Sequence, residues 1–336
     1  MNEQSINDIS KAYILNLNFS TTRIMIKQEP VIENHPDDQF ETKLFLPEGE
    51  GRQGEGGLRT QGYFKKSLPD IPLISVITVV FNGEKYLEET IQSVLGQTYD
   101  NVEYIIIDGA STDGTLDVIR KYEHAIDYWV SEKDCGIYDA MNKGIIASQG
   151  QIIGIVNSDD YYEQDTCKMV TKTCKNNPDA YLVHGAMRRI DEDKNVDSVY
   201  GSKKDFSEIL MAPFNHPACF FHAEFYRKYG IFDKNFVTAA DYDLMLRFKG
   251  KNLKDVYIDK VLSNFRKVGT TSQLSLFPAR QIWSLLRKNE YSYRNCVYAC
   301  SYRMLIWISS RILKIFRLNN LKSQLRQYTS YHKSAK

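Results

Sequence analysis

The sequence has few cysteines for its length, and they are scattered. Six occur among 336 residues, and none forms a C-x-x-C pair or shares a zinc-binding spacing with histidines. They are Cys135, Cys167, Cys174, Cys219, Cys296 and Cys300. This pattern argues against a disulfide framework and a cysteine–histidine zinc site, and it favours a reducing compartment.

Two kinds of apolar segment are also missing. The first ten residues, MNEQSINDIS, contain acids and have neither the basic start nor the apolar run of a secretory signal. Nowhere is there a stretch of 18 uncharged apolar residues, so the sequence predicts no membrane-spanning helix. We therefore expect a cytoplasmic protein.

Charge is balanced over the whole chain but not along it. The net charge is +1, yet residues 280–336 contain 12 Lys or Arg and one acid, Glu290. That segment has a net charge of +11, and the first 279 residues have a net charge of −10. An acidic body without a recognisable nucleic-acid-binding motif argues against a nucleic acid partner.

Strand-like and helix-like patterns alternate between Ile74 and Asp160, about every 25 residues, as in βαβ units with a parallel sheet. After Asp160 the alternation weakens, and from about Arg280 the pattern is helical and basic. The predicted fold class is α/β with a mostly parallel central sheet. The predicted regions are an N-terminal extension and linker (1–70), a central domain (71–279, with halves 71–162 and 163–279) and a basic helical tail (280–336).

Within the N-terminal region, the glycine-rich stretch 49–57 predicts a flexible connection. Two apolar pieces in residues 12–32 could pair as strands. Arg59 could supply a positive charge to a phosphate or an acceptor, although a linker role is the alternative.

Polar residues follow the central predicted strands where each strand ends. They are Asn82, Asp108, Ser131 with Glu132 and Asp134, then Asp159 and Asp160. In open α/β sheets, ligands bind in the crevice outside the carboxyl ends of the strands. The sequence therefore predicts a ligand site at this edge.

Asp108 precedes the turn that leads to the next helix. It stands at the strand end, where a carboxylate can accept hydrogen bonds from a base or a ribose. Thr112 or Asp113 can instead cap the helix that starts near Thr115, a structural role. The segment is not a phosphatase D-x-D-G-T motif, because Ser111 occupies the position of the nucleophile.

The segment SEKDCGIYDAMNKG (131–144) places Asp134 and Gly136 just before a predicted helix. Gly136 can let the backbone approach a ligand, and Asp134 lies near the positive end of the helix dipole. Two interpretations of Lys143 stay open. It is either a ligand contact or part of a solvated helix face that pairs with Asp139 four residues earlier.

Asp159 and Asp160 follow the apolar run IIGIV, which predicts a buried strand. Without a histidine or cysteine cluster beside them, their oxygens favour Mg²⁺ or Mn²⁺ over softer metals. Mg²⁺ is usually held by one or two carboxylates plus substrate phosphates. The alternative is an exposed acidic turn in which Asp160 caps the next helix.

Together, VVFNGEKYLEETIQSVLGQTY, DGASTDGT, SEKDCGIYDAMNKG and NSDD resemble the family 2 glycosyltransferases over about residues 72–270. These are inverting enzymes of the GT-A fold that use nucleotide-diphospho-sugars. The resemblance implies donor contacts from Phe81, Asn82, Asp108 (to the base), Asp134 and Asp159. It implies Asp160 as the ligand of Mn²⁺ or Mg²⁺.

The resemblance also implies a catalytic base near AADYDLMLR (239–247). The family usually has an acid pair before the DL of this helix; here Ala240 replaces the first acid, which leaves Asp241 as the base. Asp243 lies about 200° further round the helix and is expected to be a surface charge. His216, in NHPACFF, is either an acceptor or diphosphate contact or a structural histidine. Residues 267–271 stand where the family often has a loop near the donor phosphates.

The basic tail contains a mixed apolar and basic segment. In residues 301–318, Arg303, Arg311, Lys314 and Arg317 fall on one helical arc, and Leu305 and Ile308 lie away from it. Two interpretations stay open: peripheral contact of residues 294–322 with an anionic membrane surface, or a helix packed on the domain with a solvated basic face.

We therefore expect an inverting glycosyltransferase that moves a sugar, most simply from a UDP-sugar, to a glycan or lipid-linked acceptor in surface polysaccharide synthesis. Peripheral association with the inner membrane surface would suit a lipid-linked acceptor. The alternatives are a sugar-nucleotide hydrolase, a nucleotidyltransferase, or a non-catalytic scaffold that binds the donor.

Overall fold

The computed structural model describes residues 12–201, 210, 212–267 and 279–315. In this part of the chain the strands are β1 (Gly54–Gly56), β2 (Ile74–Val80), β3 (Val102–Asp108), β4 (Tyr128–Ser131), β5 (Ile152–Ile155), β6 (Tyr161–Tyr162), β7 (Leu182–Ile190), β8 (Val196–Tyr200), β9 (Cys219–His222) and β10 (Asp255–Arg266). The helices are α1 (Glu84–Leu95), α2 (Thr115–Lys121), α3 (Ile137–Ala147), α4 (Thr166–Asn176), α5 (Ala223–Tyr229), α6 (Ala240–Gly250), α7 (Ala279–Lys288) and α8 (Tyr293–Ile315).

These strands form one sheet in the order β1-β4-β3-β2-β5-β9-β7-β10-β6, with β8 paired to β7. The neighbours β4, β3, β2 and β5 are parallel, and β10 is parallel to β7. β9 is antiparallel to both β5 and β7, so β7 and β10 run in the same direction as β5. Six strands therefore have their carboxyl ends at one edge of the sheet.

Helices cover both faces of the sheet. Alternate residues of β2 enter different cores: Ile77 and Val79 pack with α3, α5 and α6, whereas Val76 and Val80 pack with α1. A sheet covered on both faces needs apolar side chains in both directions, which explains why β2 and β3 are continuous apolar runs, buried along their whole length.

Between Ile74 and Ile155 the predicted order of strands and helices is confirmed. In α1 the predicted apolar face is buried, with Leu87, Ile91, Val94 and Leu95 inside. The predicted helix over residues 137–148 is α3, and the buried strand before the two aspartates is β5.

The sequence pattern did not reveal β10, a strand of 12 residues between β7 and β6. Asp255, Asp259 and Lys260 interrupt its apolar residues, and the register shifts twice between Ile258 and Ser263. These shifts break the two-residue period by which a strand is recognised. From Leu262 to Arg266 every side chain is buried except the half-buried Phe265.

The prediction of a flexible connection over residues 49–57 is wrong. Residues 54–56 form β1, which pairs antiparallel with β4 at the sheet edge. Arg59 is buried and forms an ion pair with Glu103 at 2.6 Å, at the amino-terminal edge of the sheet, so it is neither a linker residue nor a phosphate contact. Of the apolar pieces in residues 12–32, Tyr13 pairs with Met25 by a single bridge.

In α8 the basic and apolar side chains do not lie on the predicted faces. Arg303 points toward the domain, where it donates to Leu210 O at 3.1 Å and lies over the Tyr242 ring. Leu305 and Ile308 are exposed instead. The side chains of Arg311 and Lys314, and all of Arg317, lie outside the described residues. Among the helices of the described ranges, none is both long enough and apolar enough to cross a bilayer.

Candidate functional site

The predicted strand-end residues meet at one edge of the sheet. β4, β3, β2 and β5 are adjacent and parallel, so the turns after them open on the same side. The predicted residues in these turns are Phe81, Asn82, Asp108, Asp134, Asp159 and Asp160. The turns after β2 and β5 approach closely, because a Cβ placed on Gly83 would lie 3.1 Å from Ser158 Oγ.

Asp108 is fully buried and organises the turn after β3. Its Oδ1 accepts a hydrogen bond from Ser111 Oγ at 2.5 Å, and its Oδ2 accepts from Ser111 N at 3.1 Å and Ser131 Oγ at 2.6 Å. A carboxylate can accept about four hydrogen bonds, so Asp108 retains one acceptor position. It also ties the end of β3 to the end of β4.

The side chains of Phe81 and Asp134 both approach the backbone of Gly109. A Cβ at this position would be 2.5 Å from Asp134 Oδ2 and 3.5 Å from Phe81 Cδ2, so these two side chains flank it. The Phe81 ring is 65% exposed and available for stacking. The ring of Phe81 could stack on a planar base, and the carboxylate of Asp134 could accept hydrogen bonds from its ribose. Gly109 lies between them without a side chain.

Hydrogen bonds hold the two segments that carry Phe81 and Asp134. Asn82 has a left-handed φ of 51°, which asparagine tolerates, and its Oδ1 accepts from Thr112 N at 2.8 Å. Asp134 Oδ1 accepts from Gly136 N at 2.8 Å, and burial raises the pKa of this carboxyl. Asp113 bonds to Thr115 N at the start of α2, which fits the capping role considered for it.

The two adjacent aspartates have different surroundings. Asp160 is only 1% exposed, and its Oδ1 accepts from Arg266 N at 2.8 Å. The Asp159 carboxylate accepts no hydrogen bond from another residue in the described ranges and is partly exposed. Burial raises the pKa of both carboxyls, and the charge of Asp159 raises that of Asp160 further. Asp159 is therefore the more accessible carboxylate of the pair.

The donor atoms here suit a hard divalent cation. Asn157 Oδ1 is buried without a hydrogen-bond partner in the described chain, beside the two carboxylates. Within the same residues, no group of three or more His, Cys, Asp or Glu side chains could hold a metal by itself. A site with two or three oxygen donors is typical of Mg²⁺ or Mn²⁺ that also binds substrate phosphates.

Of the two interpretations of Lys143, the ligand contact stays a prediction and the pairing with Asp139 is wrong. Its Nζ lies 2.7 Å from Glu132 Oε1 and donates to Lys133 O at 2.9 Å, so the ammonium group is tied to the segment after β4. The predicted pair with Asp139 does not form, because Asp139 binds Lys234 at 2.8 Å instead. A direct contact of Lys143 with a diphosphate would require it to leave these acceptors.

The acceptor-side residues lie at the same edge. β9 is antiparallel to β5, so His216, just before β9, lies near the carboxyl end of β5. Asp241, in the first turn of α6, accepts a hydrogen bond from Tyr138 Oη at 3.0 Å. Burial lowers the pKa of His216, and the nearby charge of Asp241 opposes this effect.

Asp243 is not the surface charge that the sequence predicted. It is fully buried and accepts hydrogen bonds from Arg247 Nε at 3.0 Å, Lys288 Nζ at 3.1 Å and Asn289 Nδ2 at 2.9 Å. This carboxylate joins α6 to α7 and the turn after it, so it is engaged in packing. Asp241 is the acid of this helix whose position suits a base.

Sequence reasoning missed two residues of the site. Tyr138 belongs to the quoted segment 131–144, but its bond to Asp241 spans 103 positions and has no local signature. Arg266 lies in β10, the strand that was not predicted. The loop considered near the donor phosphates, residues 267–271, lies outside the described residues except for Lys267.

The chain is similar in sequence to a family model and to individual glycosyltransferases. The family model described as Glycosyl transferase family 2 matches residues 75–234. The uncharacterized glycosyltransferase MT1564 of Mycobacterium tuberculosis is 33% identical over 184 residues, which cover 52% of this chain and 68% of that protein. The chondroitin synthase of Escherichia coli is 26% identical over 208 residues, 58% of this chain and 30% of the synthase.

Two solved structures share the fold. Residues 1–349 of Staphylococcus aureus TarS, in complex with UDP-GlcNAc, match with a TM-score of 0.54 and 18% identity, over 65% of each chain. The mannosyltransferase PcManGT of Pyrobaculum calidifontis, in complex with GDP-Man and Mn²⁺, matches with a TM-score of 0.50 and 18% identity, over 76% of this chain and 81% of that one.

Proposed function

Because this chain belongs to glycosyltransferase family 2, we propose that it moves a sugar from a UDP-sugar to a hydroxyl group of a glycan or lipid-linked acceptor, with inversion at the anomeric carbon. The chain is a glycosyltransferase with the mixed α/β GT-A fold. One observation carries the finer proposal. The acidic turns and the exposed ring of Phe81 lie at the same sheet edge as Asp241. A bound sugar donor and the catalytic base can therefore meet at this edge.

Asp241 acts as the base in this proposal. Tyr138 donates its hydroxyl proton to Oδ1, which orients the carboxylate and leaves Oδ2 for the acceptor hydroxyl. Burial and the charge of Asp241 raise the pKa of Tyr138, so the phenol stays protonated as a donor. As the acceptor oxygen bonds to the anomeric carbon, its proton passes to Asp241 and the bond to the diphosphate breaks on the opposite face.

The donor lies along the strand-end turns. Phe81 and Asp134 flank the base and ribose, and Asp108 fixes the turn beneath them. Asp159, with Asn157 Oδ1 and Asp160, would hold Mn²⁺ or Mg²⁺. The bound metal would neutralise charge that develops on the leaving diphosphate. Support for a cation comes from the charge of the site, because a diphosphate meeting these carboxylates alone would be repelled. UDP-GlcNAc and GDP-Man with Mn²⁺ are bound by the two structural neighbours.

Calorimetric titration of UDP, GDP and dTDP, with and without Mn²⁺, tests the donor site. We expect one nucleotide to bind in a metal-dependent way, and Asp159→Asn to weaken that binding by at least tenfold. Asp113→Asn is the matched control, because the Asp113 carboxylate bonds to Thr115 N at the start of α2. Equal binding by wild type and Asp159→Asn, or no effect of Mn²⁺, contradicts the metal assignment.

We also propose that residues 294–322 touch an anionic membrane surface, which would bring a lipid-linked acceptor close. Cys296 and Ala299 pack on the domain, but Val297, Met304 and Leu305 on α8 are exposed. The surrounding segment 280–336 has a net charge of +11. Exposed apolar side chains among basic residues favour binding to anionic lipid headgroups.

Vesicle flotation tests this contact with the full chain. We expect binding to vesicles of phosphatidylglycerol and phosphatidylcholine, no binding to phosphatidylcholine alone, and loss of binding in Leu305→Glu. Val196→Glu is the control, because Val196 is similarly exposed on β8, far along the chain from α8. Equal loss in both variants, or none in Leu305→Glu, contradicts the assignment to α8.

A further inference from the structure

Arg266, the last residue of β10, is a large charged side chain with almost no exposed surface. Its backbone N–H donates to Asp160 Oδ1 at 2.8 Å, and its Nε donates to the carbonyl oxygen of Asp159 at 3.1 Å. We propose that Arg266 is a positioning residue for the metal and diphosphate site, acting through the backbone and carboxylate of the turn 158–160. This inference rests on the metal-dependent donor binding proposed above.

Two residues hold the turn 158–160. Thr90 Oγ1, in α1, lies 2.9 Å from Ser158 O and 2.7 Å from Asp160 O, so its one proton is shared between these two carbonyl oxygens. Arg266 binds the remaining carbonyl, that of Asp159. Each carbonyl of the turn therefore has a partner, while the Asp159 carboxylate is partly exposed. A fixed backbone with one available carboxylate is what precise placement of a cation requires.

The guanidinium group suits this task better than an ammonium group would. Its Nη2 donates to Glu89 Oε2 at 2.6 Å, its Nη1 donates to Glu192 O at 3.2 Å, and its Cζ lies over the Tyr86 ring, 4.4 Å from the ring centre. Three nitrogens thus serve three separate acceptors. Lysine has one nitrogen and no planar face, so it cannot maintain these contacts together.

The position of Arg266 also supplies charge. Its Nε, which bonds to Asp159 O, places a positive charge beside the turn 158–160, and its Nη2 bonds to Glu89 on α1. The arginine therefore connects α1, the turn after β7 and the two aspartates into one unit at the edge of the sheet.

The test is the affinity for Mn²⁺ in the presence of UDP, GDP or dTDP, measured from the signal of free Mn²⁺ in electron paramagnetic resonance. We expect Arg266→Lys to weaken Mn²⁺ binding by about 10- to 100-fold, the range for loss of a residue that supports metal ligands. Arg59→Lys is the matched control. It makes the same change at a buried arginine paired with a carboxylate, at the opposite edge of the sheet. It should lower thermal stability without changing Mn²⁺ affinity.

Wild-type Mn²⁺ affinity in a folded Arg266→Lys variant would overturn the inference and leave the proposed function intact. If Arg266→Lys does not fold, Glu89→Gln replaces it, because that change keeps the arginine and removes its charged partner. Glu89→Gln should weaken Mn²⁺ binding by at least threefold, and an unchanged affinity would overturn the inference. Absence of metal-dependent binding of all three nucleotides to wild type would overturn the metal assignment itself, and this inference with it.

Discussion

At the residue scale, two aspartates of one helix occupy opposite environments. Asp241 and Asp243 are two positions apart in α6, so their side chains point to different sides. Asp241 faces Tyr138 and the sheet edge, while Asp243 is enclosed by Arg247, Lys288 and Asn289. The same residue type therefore accepts a hydrogen bond from a tyrosine hydroxyl at the sheet edge in one place and joins packed helices in the other.

The Asp241→Asn variant should lose sugar transfer by roughly 10²- to 10⁴-fold, because a general base contributes about that factor. Binding of the nucleotide should stay within about twofold of wild type, since the donor lies along other turns. Steady-state transfer assays and calorimetry measure the two quantities. Unchanged transfer in the folded variant would remove Asp241 from the mechanism.

The Asp243→Asn variant should behave in the opposite way. This change takes a fully buried carboxylate from Arg247 and from Lys288, which keeps Asp233 as a partner, and we expect the free energy of unfolding to fall by about 2 kcal/mol. This is less than for a fully enclosed pair, because Lys288 keeps contact with solvent. Urea denaturation measures the change. A stable variant with lost transfer would instead identify Asp243 as the base.

At the element scale, α3 connects the donor side to the acceptor side. It begins after Asp134, carries Tyr138 in its first turn and packs on β2 through Gly144. A Cβ on Gly144 would lie 2.4 Å from Ile77 Cγ2. The missing side chain therefore sets how closely the helix approaches the sheet, and with it the height of Tyr138 above the site.

The Gly144→Ala variant should destabilise the protein by up to about 2 kcal/mol. Alanine is the better helix former by about 1 kcal/mol, but the added methyl group clashes with the sheet at a cost of about 1–3 kcal/mol. Gly250→Ala, at the end of α6 where a Cβ would meet nothing within 4 Å, should stabilise by about 0.5 kcal/mol. Urea denaturation compares the two. A more stable Gly144→Ala would show that α3 can move outward freely.

The pairing of β7 with β10 carries a pH-dependent contact. His184 Nε2 lies 3.1 Å from Asp255 Oδ2, and this hydrogen bond, with Lys249, holds the pKa of Asp255 at about 2, below the ordinary 3.8. Because the folded pKa is depressed, the contribution to stability is complete above about pH 4 and is lost as the pH falls toward 2.

Asp255→Asn should therefore lower the free energy of unfolding by about 1 kcal/mol at pH 7, a value reduced for the partial exposure of the carboxylate. The difference from wild type should shrink as the pH falls from about 4 toward 2. Urea denaturation series at several pH values measure it. A difference that stays constant below pH 4 would mean that the ionised carboxylate contributes nothing.

At the scale of the whole molecule, charged groups are divided between the two edges of the sheet. At the carboxyl edge the carboxylate of Asp159 is partly exposed, and we propose that it binds a ligand. At the amino edge the buried carboxylates have cationic side chains beside them. There Glu103 pairs with Arg59, and Asp127 has Lys65 nearby. Both cations come from the segment before β2. That segment therefore completes the interior of the domain.

A truncated chain that starts at residue 69 should not fold stably, although it contains the whole stretch 75–234 matched by the family model. It would leave Glu103 and Asp127 buried without their cations, and removal of one partner from a buried ion pair costs about 3–5 kcal/mol. Thermal unfolding compared with the full chain measures the effect. An equally stable truncated chain would show that the N-terminal segment is dispensable.

The sequence by itself determined the alternation of strands and helices from Ile74 to Ile155, and the edge at which the site lies. Both follow from local information. Apolar runs and turn residues define each element, and parallel strands bring their carboxyl ends together whatever the side chains are. For the same reason the acidic turns could be placed at the site before any contact was known.

Only the tertiary structure decided what each charged side chain does. Lys143 forms an ion pair with Glu132, and Arg59 forms one with Glu103. Arg266 donates a hydrogen bond to Asp160, 106 positions earlier in the chain. A charged group is buried only where a distant residue compensates it, and the identity of that residue depends on packing between elements. Spacing along the chain contains no information about such partners, so the different surroundings of Asp159 and Asp160, and of Asp241 and Asp243, appeared only in the folded molecule.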